Sequence, residues 1–373
     1  GYFSLFPNLA TLFASRSVPL EYAPCVTTYL AFFIQIIPFA IICWGNSPFW
    51  SSRLHKTGLT CIVLFAPCSG EIWLNTINSQ FYFSLIAFFI LMEAVSASRM
   101  RLYAYSLLLC LCGLTGPVSC FLTPLFLFKA FKNNNKESWI HAGIFFICSV
   151  VQGSIILTSG AFWLEKRFFF DLPVISAAFW NKTVFLALLG PDAAPLFSKW
   201  LVEIRMSHFI FFQMIGVALL IIGGWLGYLI FLKIKKEPFI YLFGSFILLM
   251  SLSFMFSQEN KICLLEAFRG QRYCYVPNVI LLSMLLGLVP VGTFSKRFFI
   301  NVPLVLLAFA MILGIMNYRG SLIVNANWPL WTDEIRKWRM DSSYCPEIWP
   351  YGWKPDGWRV CLDASCEIKR LSR

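Results

Sequence analysis

Long apolar runs, almost free of charge, alternate along this chain with short polar links in which lysine and arginine gather. Each run matches or approaches the ~20 residues that cross a hydrocarbon layer of ~30 Å as a helix. The pattern predicts spans at 26–44, 58–72, 79–97, 138–158, 209–232, 238–256, 276–291 and 299–316, and a longer apolar stretch at 102–131. Residues 1–25 are apolar but broken by Pro7, Pro19 and Pro24, which reads as an amphipathic segment lying at the membrane interface.

The 102–131 stretch is too long for one span and too short for two full ones. Basic residues flank both ends, Arg99 and Arg101 before, Lys129 and Lys132 after, and its middle reads Gly113-Leu114-Thr115-Gly116-Pro117. Glycine and proline at that density break a helix. Like charge at both ends puts both ends on one side, so the segment turns back within the membrane. Each arm of ~14 residues reaches ~20 Å at 1.5 Å per residue. Such a turn belongs against protein and away from lipid.

The expected fold class is therefore all-α: a polytopic transmembrane bundle of about 8–10 membrane segments, re-entrant or broken at 113–117. A transmembrane domain covers 1–316 and includes an external loop with short helices at 159–208. A small Trp-rich external tail follows at 317–373. Composition agrees: 58% of the 373 residues are hydrophobic and 13% charged, with a mean hydropathy of +0.71. A water-soluble domain carries about a quarter charged residues. An outer-membrane barrel is excluded too, because its strands are alternating segments of ~10 residues.

The net charge of +12 is topogenic. Arg53 and Lys56, Arg99 and Arg101, Lys129, Lys132 and Lys136, Lys233, Lys235 and Lys236, and Lys296 and Arg297 occupy alternate links, which places those links in the cytosol. Glu71, Glu165, Asp171, Asp192 and Glu203 fall mostly on the other side. No basic face interleaved with aromatics suggests a nucleic-acid partner, and no Walker or dinucleotide motif suggests a nucleotide.

Most of the thirteen cysteines lie in or beside apolar runs, where Cys acts as a small hydrophobe. Cys263 with Cys274, and Cys345 with Cys361 or Cys366, are possible disulfides on an oxidising face. His55, His141 and His208 are far apart and no CxxC occurs, so spacing does not support a metal site. The chain opens at Gly1 without a basic n-region, which reads as a chain whose upstream segment is missing and not as a signal peptide.

Two groups of residues carry candidate chemistry. In EIWLNTINSQ, Glu71, Asn75 and Asn78 have i, i+4, i+7 spacing that would put them on one helical face, with Gln80 just beyond. A carboxylate at a membrane boundary is a functional candidate by default; the plain alternative is an acid paired with a neighbouring helix. In AFRGQRYCYVP, Arg269 and Arg272 could clamp a phosphate, with Tyr273 donating at headgroup level; interfacial anchoring explains the same residues. Glu93 is expected to snorkel or to pair with Arg99 or Arg101. Trp328, Trp331, Trp338, Trp349, Trp353 and Trp358 could stack on sugar rings or form the core of a small cap.

The GYFSLFPN opening, the EIWLNTINSQ connection, the GLTGP turn, the external loop, RYCYVP before a late span and the Trp-rich tail together resemble bacterial multi-pass proteins of the GT-C glycosyltransferase superfamily. That resemblance implies a polyprenyl-phosphate sugar donor, transfer at the outer leaflet of the bacterial inner (cytoplasmic) membrane, and an acidic base or metal ligand in the first external loop. The resemblance implies that this loop would lie upstream of Gly1, and no residue of this sequence matches the acid. Glu71 is the tentative catalytic group, Asn75, Asn78, Gln80, Arg269, Arg272 and Tyr273 the substrate-binding set, and a divalent metal is open. The alternative is a transporter or flippase for a lipid-linked or amphipathic solute, which the turn and the buried acid also suit. A third reading is a non-catalytic assembly subunit.

Overall fold

The computed structural model describes residues 2–67, 69, 72–95, 98–158, 171–233, 237–255, 264–267, 270–289, 302–317, 329–348 and 358–359. The fold is an all-α membrane bundle, as the apolar runs predict. Helices α1 (Leu5–Ser17), α2 (Ala23–Trp44), α3 (Arg53–Phe65), α4 (Ser79–Met92), α5 (Arg99–Leu114), α6 (Pro117–Cys120), α7 (Thr123–Asn133) and α8 (Lys136–Thr158) make up the first half. The second half holds α9 (Leu172–Phe179), a π-helical stretch (Trp180–Phe185), α10 (Leu186–Ser207), α11 (Phe209–Lys233), α12 (Glu237–Met255), α13 (Arg272–Gly287), α14 (Val302–Asn317) and α15 (Trp331–Met340). Two short strands, β1 (Glu347–Ile348) and β2 (Trp358–Arg359), pair antiparallel in the tail.

Five helical stretches are long and apolar enough to cross a membrane, among them Leu20–Trp44, Lys136–Thr158 and Phe209–Tyr228. The broken segment is present where the glycines and proline predict it. Arg99–Leu114 and Pro117–Asn133 are bent by 115° at a two-residue break. Thr115 closes the first arm, its hydroxyl donating to Leu111 O at 2.6 Å, and Pro117 starts the second, where its missing N–H costs nothing. The arms pack against α8. Gly113 permits that approach, since an added Cβ would lie 2.5 Å from the Cβ of Cys148.

Capping residues shift two predicted boundaries. Ser52 accepts from His55 N–H and starts α3 at Arg53, ahead of the predicted 58. α4 stops at Met92 because Glu93 is extended and turns to an ion pair with Arg101, one of the expected partners. Its carboxylate also accepts from Asn46 N–H at 2.8 Å. Lys129 completes this end, donating to Leu91 O and Glu93 O at 2.6 Å each. α4 packs against α2, α5, α6 and α13, and every residue from Phe81 to Met92 is buried.

Of the expected loop at 159–208, the described part runs from Asp171 onward and is helical from Leu172 to Ser207. Asp171 caps α9 by accepting from Val174 N–H at 3.3 Å. Leu172–Gly190 is itself long and apolar enough to cross a membrane. At Gly190, with φ +83°, the chain turns back. Phe185 and Phe197 then meet across the turn, their ring centroids 4.2 Å apart and their planes tilted by 51°, and Asn181 Nδ2 donates to Ser198 Oγ at 2.7 Å. Sequence reading missed this second turned-back pair because Asn181, Lys182 and Thr183 interrupt its apolar run; Asn181 Nδ2 and Lys182 Nζ find their acceptors in tertiary contacts that hydropathy does not register.

The amino-terminal segment behaves as an amphipathic element. α1 buries Ala10 and Ala14 and exposes Leu9, Leu12 and Phe13. Ahead of it, the backbone of Phe3 is held from both sides by Gln152, with Phe3 N–H donating to Oε1 at 3.0 Å and Nε2 donating to Phe3 O at 2.9 Å. The tail helix α15 docks on the same segment, Trp331 Nε1 donating to Leu20 O at 2.9 Å and Arg339 pairing with Glu21 at 2.7 Å. Cys345 is disulfide-bonded. Cys274 is a free, buried thiol, so the Cys263–Cys274 bridge is not formed; its helix position faces the packed core.

Candidate functional site

Two helices that begin at the same place carry the two sequence candidates. α4 follows the EIWLNTINSQ connection and α13 opens with RYCYVP. Their first turns face each other. Phe81 meets Tyr273 edge-on at 5.6 Å. Tyr82 and Tyr275 stack at 5.7 Å, with Tyr275 Oη donating to Val63 O at 2.8 Å and lying 3.3 Å from Tyr82 Oη. Trp73, from the connection, lies edge-on to Tyr82 at 5.6 Å. The corner is thus built from the end of α3, the connection, and the starts of α4 and α13.

The connection is not the predicted helical face. Leu74 has φ +54°, and Asn75 Oδ1 accepts from Ile77 N–H at 2.8 Å in an Asx turn. A left-handed residue followed by such a turn stops helical propagation, so the i, i+4, i+7 argument fails between 71 and 78. The connection is instead held by Gln35 of α2. Gln35 is 3% exposed; its Nε2 donates to Ile72 O at 2.9 Å and its Oε1 accepts from Leu74 N–H at 3.0 Å.

Asn78 stands at the N-cap of α4. Gln80 points elsewhere: it donates to Tyr2 Oη at 3.1 Å and packs on Gly116 at the break of the bent pair. The structure therefore does not bring Gln80 to the corner. Arg272 is at the first turn of α13, its guanidinium 5.1 Å from the Tyr273 ring centroid. Tyr273 is buried by that stack and by Phe81. Glu71 and Arg269 lie outside the described residues.

The structure adds a polar cluster absent from the predicted set. In the π-helical stretch, Asn181, Lys182 and Thr183 are all fully buried. Asn181 Nδ2 also donates to Leu265 O at 2.8 Å, and Lys182 Nζ donates to Glu266 O at 2.6 Å. Asn278, one and a half turns into α13, is fully buried as well. Its Nδ2 lies 3.4 Å from both Lys182 O and Pro67 O. The cluster therefore ties the second turned-back pair to the end of α3, the approach to α13 and α13 itself. One signal was readable: a lysine inside an otherwise apolar run of spanning length. π-Helical turns also recur at functional sites.

The loop acids serve local ends. Asp171 is a helix cap, and Glu203 pairs with Lys199 at 3.9 Å on the surface. Among the described residues no three metal-ligating side chains converge. In the tail, Trp338 is buried in a small cap. That cap is organised by Glu334, which accepts from Lys337 Nζ at 2.6 Å, Tyr344 Oη at 2.6 Å and Glu347 N–H at 2.9 Å. Burial works against the charge on Glu334, but these three donors hold its carboxyl below the usual value. Trp328, Trp349 and Trp353 lie outside the described residues.

Comparison with protein-family models, with curated proteins and with solved structures finds no match.

Proposed function

We propose that this chain is an integral membrane glycosyltransferase of GT-C type, transferring a sugar from a polyprenyl-phosphate donor to a cell-envelope acceptor at the outer leaflet of a bacterial inner membrane. The observation that carries the reading is the contact of Phe81 with Tyr273 and of Tyr82 with Tyr275. It brings the amide-bearing connection and Arg272 to one corner of the bundle. Transfer of this kind needs a base for the acceptor hydroxyl and cations for the departing lipid phosphate. In this reading Glu71 is the base, Asn75 and Asn78 orient the acceptor or sugar, and Arg269 and Arg272 receive the phosphate. The test is sugar transfer from a labelled lipid-linked donor by the reconstituted full chain. Arg272→Ala is expected to abolish transfer; transfer at the original rate overturns the assignment.

The bent pair at Leu114–Pro117 favours a second reading, a transporter or flippase for the lipid-linked solute, because broken helices line such pathways. The same liposomes separate the two. A flippase moves the donor between leaflets with its sugar still attached, whereas the transferase leaves a sugar-free lipid phosphate.

A further inference from the structure

Three links of the chain meet at one end of the bundle. Ala94 N–H donates to Asn46 O at 2.8 Å and Ser47 Oγ to Met92 O at 2.7 Å, which joins the α2–α3 link to the α4–α5 link. Lys129, near the end of α7, donates to Leu91 O and Glu93 O and brings the α7–α8 link to the same place. Residues 45–56, 93–101 and 129–137 carry seven lysines and arginines against two acids, Glu93 and Glu137. Orienting a chain needs only that such charge lie in the links. At the α7–α8 corner it is placed more specifically. Lys132, in the last turn of α7, and Lys136, at the start of α8, are both exposed. Asn134, left-handed with φ +45°, returns the chain between them, and the exposed rings of Phe131 and Trp139 meet edge-on at 4.8 Å. Further along α8 come Gly143, Phe146, Ile147 and Val150. Counted from Lys136, Trp139 and these four share one face of the helix. Phe146, Ile147 and Val150 are exposed, and a Cβ added at Gly143 would meet no atom within 4 Å. The face is open, and over ~20 Å it passes from cation through aromatic to aliphatic side chains.

We infer that this face of α8, with the end of α7, is a docking site for an anionic phospholipid of the surrounding membrane. Lys132 and Lys136 receive the headgroup phosphate, the Phe131–Trp139 pair lies at the depth of the ester groups, and an acyl chain runs along Gly143 to Val150. That order of layers is the order of a phospholipid from head to tail. A soluble anion would use the cations alone. Tryptophan favours the interfacial depth, and basic clusters at helix ends attract anionic headgroups. Glu137 does not cancel Lys136, because it is half-buried and turned about 100° away round the helix. The excess of cations on the neighbouring links favours phosphatidylglycerol over a zwitterionic lipid, whose own ammonium they repel. The inference concerns the lipid around the protein and is independent of the activity proposed above.

The experiment places the full chain in nanodiscs of phosphatidylcholine and phosphatidylglycerol with matched acyl chains. One lipid at a time carries a photoreactive group, and the cross-links are mapped by mass spectrometry. Phosphatidylglycerol is expected to cross-link to residues 131–150 more than phosphatidylcholine does. Lys132→Gln and Lys136→Gln are each expected to lower that preference about fivefold, with cross-linking to the rest of the chain unchanged. Lys132→Arg combined with Lys136→Arg should keep it. Equal cross-linking of the two lipids at this face of the unaltered protein overturns the inference, as does a preference that survives the loss of both lysines. If the variants do not fold, the unaltered protein supplies the test. Salt at about 1 M shortens the screening length to ~3 Å and is expected to reduce the preference, and a preference unchanged by salt overturns the inference.

Discussion

Gln35 on α2 holds Leu74 in a left-handed conformation by accepting its N–H at 3.0 Å while donating to Ile72 O at 2.9 Å. One buried carboxamide thereby uses both of its ends on a three-residue stretch directly after Glu71. Gln35→Ala leaves a donor and an acceptor unmet in a dry setting. The expected cost is about 2 kcal/mol or more, read as a lower midpoint in detergent-titrated unfolding. Hydrogen exchange should quicken at residues 72–78 and stay unchanged in α8.

Leu74 tests the same geometry from the other side. A non-glycine residue at positive φ carries about 1–2 kcal/mol of steric cost, and the Leu74 side chain is largely exposed, so little packing is lost with it. Leu74→Gly trades that cost against about 0.5–1 kcal/mol of extra unfolded-state freedom. The expected outcome is neutral to stabilising, by up to about 1 kcal/mol. Leu74→Val, which tolerates this conformation poorly, should destabilise.

At the other end of α4, Arg101 pairs with the buried carboxylate of Glu93. Removing one member of a buried pair strands the other, at about 3–5 kcal/mol. Arg101→Ala is expected to cost that much. Glu93→Gln, which keeps an acceptor for Asn46 N–H, should cost less. Comparing the two unfolding midpoints checks the order.

The tail cap should open in acid. The carboxyl of Glu334 lies below its usual value near 4.5, because Lys337, Tyr344 and Glu347 N–H outweigh the penalty of burial. A carboxyl with a lowered folded value stabilises above its unfolded value and loses that contribution as pH falls through the folded one. Lys337 is raised by the same contact, chiefly its hydrogen bond to Glu334, so its share is lost only when pH climbs past the ordinary lysine range. The cap is therefore expected to hold across neutral pH and to loosen below about pH 4.5, seen as faster exchange of the Glu347 amide. Glu334→Gln should remove the acid step.

Much of the bundle could be read from apolar length and breakers. The span expected at 209–232 is Phe209–Lys233, that at 138–158 is Lys136–Thr158, and the turn at Gly113–Pro117 is where the helix pair bends. These are local properties of the chain. The features that escaped depend on partners far away in sequence. Lys182 sits in a run read as a loop because its polar neighbours lower the hydropathy, and the acceptors for Asn181 Nδ2 and Lys182 Nζ, namely Leu265 O, Ser198 Oγ and Glu266 O, come from other segments. Gln35 looked like one more residue of an apolar span. The one-face reading of Glu71, Asn75 and Asn78 assumed a helix that Leu74 interrupts, and a positive φ at leucine leaves no mark in composition. The pairing of Glu93 with Arg101 was legible because both lie at the same membrane boundary.

The burial of α4 bears on how the protein is made. From Phe81 to Met92 no residue is left for lipid, and at 14 residues the helix reaches only ~21 Å, short of the bilayer core. A segment of that length is a poor lone passenger for the insertion machinery. It must wait beside the translocon until α2, α5 and α13 close round it, so a fault in the late-synthesised α13 would strand an early helix and expose the nascent chain to membrane quality control.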